Sequence, residues 1–363
     1  MAAMLCLPMT AFAQEAALSG TVTDSTGGVL PGVVVRAVLE ETGNSFEAVT
    51  DSSGAYRLVV RIGTYRITAE LAGFASLTRT GVQLQVGQQP VLNLQMAPAT
   101  VQESVTVTGE APFVDVTASS LGTNIDAKQV QELPVNGRNW IDLTLMAAGS
   151  RLNAASEMPA ASFQLNVDGQ QVTQMIVTSF GQPRFSKDTI AEFEVISNRF
   201  DASQGRSAGM QVNAVTKSGT NTPSGSFSGY FRDSKFNSPD FIQKRVIPYQ
   251  DQQLSTTFGG PIRKDRIHFF GNYEYERSPF TVTYDSIYPR FNVDLPGTRN
   301  EKKGGGRLDF QFSPKTRLVV RSNLSSSWDP YDPRWSGGAT RHPSSPSSVP
   351  KRSNNFTARL TQV

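Results

Sequence analysis

The sequence predicts a mainly β chain in three parts: an N-terminal immunoglobulin-like β-sandwich, a mixed α/β stretch, and the first strands of a membrane-type β-barrel, incomplete within 363 residues. Three observations predict this. Apolar and polar residues alternate with period two in many short runs, the mark of half-buried strands. A hydrophobic content of 38% with 30 glycines and 9% aromatics suits a β-rich chain with many turns. No run approaches the roughly 18 apolar residues that a membrane helix needs, so after any leader the chain can enter a membrane only as a barrel.

A formal charge of +3 sets no strong basic field for nucleic acid. The basic pairs and clusters, Lys244-Arg245 and Arg263-Lys-Asp-Arg266, are short and fall in expected turns or loops, where they read as solvated. Residues 1–10 are mostly apolar, and Ala11-Phe12-Ala13 before Gln14 forms an A-x-A cleavage site. Residues 1–13 are therefore expected to be a secretory signal whose basic front is missing. Cleavage there would remove Cys6, the sole cysteine, and leave an exported chain without a thiol.

Residues 14–97 are expected to form the sandwich. Strands are read at Leu18–Val22, after the Pro31-Gly32 break at 33–39, at 55–60, 64–70, 77–84 and 90–96, with turns at Asp24-Ser-Thr-Gly-Gly28 and Asp51-Ser-Ser-Gly54. Residues 98–116 form a polar, β-prone linker. Within 117–222, Asn124 to Asp126 offer N-caps for a short helix over 127–133, stopped by Pro134, and a second helix is read over 140–148. Phe163-Gln-Leu-Asn-Val-Asp-Gly169 reads as a strand and tight turn, with Asp168 a turn residue beside glycine and not a catalytic carboxylate. Residues 188–196 and 210–216 alternate as strands around a polar turn at 201–206, with Phe193 and Val195 opposed to Glu192 and Glu194.

From 223 to 363 six strands are expected and no further helix. In Ile267-His-Phe-Phe-Gly-Asn-Tyr-Glu-Tyr275 the residues Ile267, Phe269, Tyr273 and Tyr275 would face lipid, and His268, Asn272 and Glu274 the lumen. The remaining strands are marked by Phe227 and Phe231; Leu254 and Phe258; Leu308, Phe310 and Phe312; Leu318, Val320 and Leu324; and Phe356, Ala358 and Leu360. Short connections at 259–265 and 313–316 alternate with long polar stretches at 232–252, 276–305 and 325–354, as the two ends of such a barrel do. Six strands cannot close a wide lumen, and the last run ends on an open edge. The sequence is therefore expected to be part of a longer protein.

Several phrases carry a family resemblance. Leu133-Pro-Val-Asn-Gly-Arg-Asn139, the apolar-Asp-Gly element at 163–169, the run Asp188 to Asn221 leading into Gly225-Ser-Phe-Ser-Gly-Tyr-Phe231, and Gly-Gly-Pro-Ile262 before Lys-Asp-Arg-Ile-His-Phe-Phe270 together resemble the plug and first barrel strands of TonB-dependent outer-membrane receptors. Ser19-Gly-Thr-Val22, Pro31-Gly-Val33, Thr50-Asp-Ser-Ser-Gly-Ala-Tyr56 and Ala72-Gly-Phe74 resemble a carboxypeptidase-regulatory-like domain, as in the Oar-like branch, where it is an accessory module. The resemblance implies that 117–222 is a plug and that Glu103, Ser104, Val105, Thr106, Val107, Thr108 and Gly109 form a TonB box. Such an extended segment would pair edge-on with a TonB-type energy-transducing protein; read alone, it is one more strand of a neighbouring unit. The other implied partners are outer-membrane lipid and an extracellular ligand that the sequence leaves open. The place would be the Gram-negative outer membrane, with the sandwich and the start of the plug in the periplasm.

Catalysis finds no support in the residues. The two histidines, His268 and His342, lie in no metal-binding spacing, and no serine elbow or phosphate loop occurs. Gly304-Gly-Gly306 precedes an expected strand and not a helix, so it is no phosphate cradle. No catalytic, cofactor-binding or metal-binding residue is assigned. Two other readings are a secreted or surface β-sandwich adhesin, soluble in water, and an exported carbohydrate-active enzyme whose catalytic part lies elsewhere.

Overall fold

The computed structural model describes residues 16–99, 104–108, 121–147, 163–172, 184–197, 210–239, 241, 244–246, 250–284, 288–330 and 348–362. The expected signal (Ala11, Ala13, Gln14) and the 201–206 turn lie outside the described residues.

The first unit holds β1 (Ala16–Asp24), β2 (Val34–Leu39), β3 (Ser45–Val49), β4 (Ala55–Val60), β5 (Gly63–Glu70), β6 (Ser76–Leu84), β7 (Leu94–Met96) and β8 (Ser104–Thr108). One sheet runs β4-β1-β7 and the other β3-β2-β5-β6-β8. Their facing residues, among them Leu18, Val35, Phe46, Leu58, Tyr65, Ile67 and Leu84, form one buried core; each such side chain contributes about 1.5–3 kcal/mol by burial. Strand β3 is absent from the sequence reading: its signal, Phe46 inward between Ser45 and Glu47, is only five residues long. The strand read at 90–96 shrinks to Leu94–Met96.

The second unit contains β9 (Leu121–Ile125), α1 (Ala127–Glu132), β10 (Phe163–Val167), β11 (Gln170–Gln171), β12 (Ile190–Ser197) and β13 (Met210–Thr216). The sheet order is β11-β10-β13-β12-β9, with β10 and β13 parallel and the other neighbours antiparallel. Asp126 caps α1 reciprocally with Gln129 (2.8 and 3.0 Å), as the sequence expects. Two expectations change. The second helix is a 3-10 helix over Trp140–Met146, which sets Trp140 and Leu143, three apart, into the core on one side. Residues 121–125, where no strand is expected and Asn124 is offered as an N-cap, pair as an edge strand with β12. Trp140 meets Phe193 edge-on at 5.2 Å at the centre of this second core.

The third unit is a meander of six antiparallel strands, β14 (Ser224–Asp233), β15 (Gln250–Arg263), β16 (Ile267–Tyr284), β17 (Val293–Ser313), β18 (Thr316–Asp329) and β19 (Val349–Gln362), in sequence order across the sheet. All six expected strands are present, and among the described residues 3-10 turns are the only helical structure in this part. The alternation is as predicted. Phe227, Phe258 and Leu360 are 77%, 57% and 64% exposed, whereas the inward His268 and Glu274 are 0% and 2%. The expected loop at 276–305 is mostly strand, because β16 and β17 stay in register from Ile267↔Phe310 to Tyr284↔Val293. The glycine run 304–306 lies inside β17 for the same reason. A side chain at Gly305 would collide with the backbone oxygen of Ser322 on β18.

Candidate functional site

The α/β unit packs on the inward face of the six-stranded sheet through two clusters of charge. In the first, β16 and β17 set Glu274, Glu276, Glu301 and Lys303 on one inward face. Lys303 Nζ lies 2.8 Å from Glu274, 3.6 Å from Glu276 and 3.6 Å from Glu301. The α/β unit reaches this face with the segment preceding β12. Ser186 donates its hydroxyl to Glu274 at 2.5 Å, and Arg184 pairs with Glu301 at 2.6 Å. Two residues on, Asp188 accepts from Ser255 at 2.5 Å and pairs with Arg138 at 2.9 Å, while Arg138 lies 3.7 Å over the Tyr230 ring. Lys187 turns the other way, onto the Leu133 carbonyl at 2.9 Å; its burial lowers its pKa.

In the second cluster the hub is Asp168. It has φ +48° in the turn after β10, a conformation that aspartate tolerates better than most residues. Its carboxylate accepts from the Thr216 amide (2.9 Å) and hydroxyl (2.7 Å) and pairs with Arg321 at 2.9 Å and Arg307 at 3.5 Å. Arg307 grips Asp309 along the same strand at 2.9 and 3.0 Å, and donates to the Thr216 carbonyl at 2.7 Å. The sequence reading of Asp168 as a turn residue holds; the turn also carries its carboxylate to the barrel wall. The inward positions 307, 309, 317 and 321 are all charged, a pattern legible in alternate residues of β17 and β18.

Of the segment 103–109, Ser104 to Thr108 form β8, paired in parallel with Ser76 to Thr80 of β6 at the outer edge of a sandwich sheet. Glu103 and Gly109 lie outside the described residues. Among the described residues no three His, Cys, Asp or Glu side chains gather into a metal-holding group, and no helix is long and apolar enough to cross a membrane.

Comparison with known proteins bears on this arrangement. Residues 17–97 match the carboxypeptidase regulatory-like domain, and residues 215–292 match an outer membrane beta barrel domain. The chain is 27% identical, over 310 residues, to the TonB-dependent transporter Oar of Myxococcus xanthus. Together these matches support a TonB-dependent receptor. The alignment covers 79% of this chain and 29% of Oar, so the chain spans less than a third of the relative's length. It is a protein of the Gram-negative outer membrane, mainly β, with an N-terminal sandwich and barrel strands. Among solved structures it superposes on the siderophore receptor PirA of Pseudomonas aeruginosa with a TM-score of 0.42 at 18% identity, over 61% of this chain and 35% of that one. The outer membrane transporter YddB of Escherichia coli gives 0.48 at 11% identity, over 67% and 37%. Neither superposition bears on the ligand.

Proposed function

We propose that the receptor is an uptake transporter in which the α/β unit, residues 117–222, is the plug and the six strands are the start of the barrel that holds it. The observation that carries this reading is the polar seam: a globular unit lies against the inward face of a lipid-type sheet, joined by ion pairs and single hydrogen bonds rather than by an apolar core. Such a seam holds the unit in place yet can exchange its partners for water when the unit moves. A ligand would bind from the side of the long polar stretches, and a TonB-type protein, energised from the inner membrane, would act on the plug through Glu103 to Gly109. The sandwich and the start of the plug would stand in the periplasm. The receptor is no enzyme on this reading.

The adhesin reading requires a chain soluble in water. The exposed row Phe227, Phe258, Leu360 and Phe356 speaks for lipid instead. The test is binding of a purified periplasmic domain of a TonB-type protein to the detergent-solubilised receptor. Deleting 103–109 should abolish that binding while the barrel stays assembled, and uptake should fail with it. Unchanged binding and uptake would remove the segment from the mechanism.

A further inference from the structure

The sandwich touches both of the other units, and it does so at two separate places. At the end where β1 begins, Arg61, next to Val60 of β4, pairs with Asp309 of β17 at 3.1 Å; both side chains are buried. Beside it, Asn44 donates to Gln311 of β17 at 3.0 Å, and the Arg317 guanidinium of β18 lies 5.4 Å over Phe46. The Glu41 carbonyl accepts from the Asn221 amide at 2.9 Å. The second place is the turn after β6. There the Val86 amide donates to Glu192 of β12 at 2.5 Å, and the Val86 carbonyl accepts from Asn124 of β9 at 3.1 Å. Gly87, at φ +74°, lies so close to Glu194 that any side chain there would collide with the carboxylate.

We propose that the sandwich is a docked cap that ties the plug to the rim of the barrel. One set of contacts grips β17 and β18, the other grips β9 and β12, so the plug cannot shift against the barrel wall without breaking one set. The dock is also built to release. Asp309 already has a bidentate partner in Arg307, so it stays compensated when Arg61 leaves. Arg61 is buried with Nη2 lacking a hydrogen-bond partner and with Arg307 and Arg317 close enough to repel it. Burying a charge that is half satisfied is costly, so water competes well for Arg61. The contacts stand independently of the transport reading; that undocking precedes plug movement rests on it.

The test uses the full chain in outer membranes, in a Cys6→Ser background. A cysteine pair at Asn44 and Gln311 is treated with a short bismaleimide, against a control pair at Thr26 and Gln311. Thr26 follows β1 at the opposite end of the sandwich from Arg61, roughly 27 Å away along the strand. The first pair should cross-link and the control should not. Arg61→Ala should cut the cross-link several-fold, Arg61→Lys should restore part of it, and amide exchange in β12 should quicken by about tenfold, equivalent to about 1.4 kcal/mol of local stability. Exchange in the β16–β17 hairpin should stay unchanged, which separates undocking from unfolding. Equal cross-linking of the two pairs overturns the dock. Loss of the cross-link with β12 exchange unaltered overturns the tie to the plug. Binding of the TonB-type domain to 103–109, measured separately, tells either failure from a failure of the transport reading.

Discussion

Glu192 is the residue whose surroundings most change its chemistry. The sequence sets it on the polar side of a half-buried strand, yet it is buried, because the turn after β6 covers that face. Burial, with Asp126 and Glu194 adding repulsion, pushes its pKa from 4.5 to about 7 against the opposing Val86 hydrogen bond. The folded chain therefore keeps a proton that the unfolded chain releases. Stability should fall as pH rises from about 4.5 to about 7 and level off above, by at most on the order of 3 kcal/mol. Glu192→Gln should flatten that slope in urea unfolding followed between pH 5 and 8; an unchanged slope would assign it to another group. On the opposite surface, Phe269 packs on Phe258 at 5.6 Å between ring centres. Phe269→Arg should cost about 2–4 kcal/mol if the position lies near the bilayer midplane, seen as lost assembly into outer membranes. Full assembly would mean that this face does not meet lipid.

At the scale of elements, the pairing partner decides what period two alone leaves open. β16 has 18 residues and β17 has 21, paired well beyond the point where apolar outward residues give way to Arg277 and Asn300. At about 3.4 Å per residue and a 45° tilt, 18 residues rise roughly 43 Å, against an apolar band of about 25 Å. The hairpin thus stands well clear of the membrane, where backbone pairing holds a polar sequence that reads as loop. A side chain at Gly305 of β17 would meet the Ser322 carbonyl of β18. Gly305→Val should disrupt this hairpin and lower the yield of heat-modifiable barrel, whereas Thr298→Val, further along the same strand, should not. Equal yields would show that the close approach at Gly305 relaxes freely. β8 makes the same point from the other side. Its alternating Ser-Val-Thr-Val-Thr has the propensity of a strand, and its parallel partner β6 precedes it by 28 residues.

For the whole molecule, the contacts between units are mainly polar, while the sandwich and the α/β unit each have their own apolar core. Deleting 16–97 should therefore leave a barrel that assembles and remains heat-modifiable, with faster exchange confined to β9 and β12. Collapse of expression would show instead that the sandwich is integral to folding. The joint between the α/β unit and the six-stranded sheet should behave differently. Asp168→Ala strips Arg321 of its carboxylate and Arg307 of one of two, and should cost about 3–5 kcal/mol by leaving buried cation uncompensated, measured as earlier unfolding of the α/β unit. A change within experimental error would mean that water replaces the carboxylate.

The sequence by itself determined the sandwich strands β1, β2, β4, β5 and β6, the cap of α1, the β10–Asp168–Gly169 turn, and the six strands of the third unit with most of their alternation. These depend on local periodicity, turn chemistry and capping, which neighbours along the chain specify. Only the tertiary structure decided that Glu192 is buried, that Asp168 joins the α/β unit to the six-stranded sheet, that 276–305 is mostly strand, and that the sandwich reaches Asp309 and Glu192 at once. Those properties belong to residues brought together from distant parts of the chain, 267 positions apart for Asn44 and Gln311. Long-range pairs of this kind leave no period in the sequence, because their energy depends on where whole units come to rest.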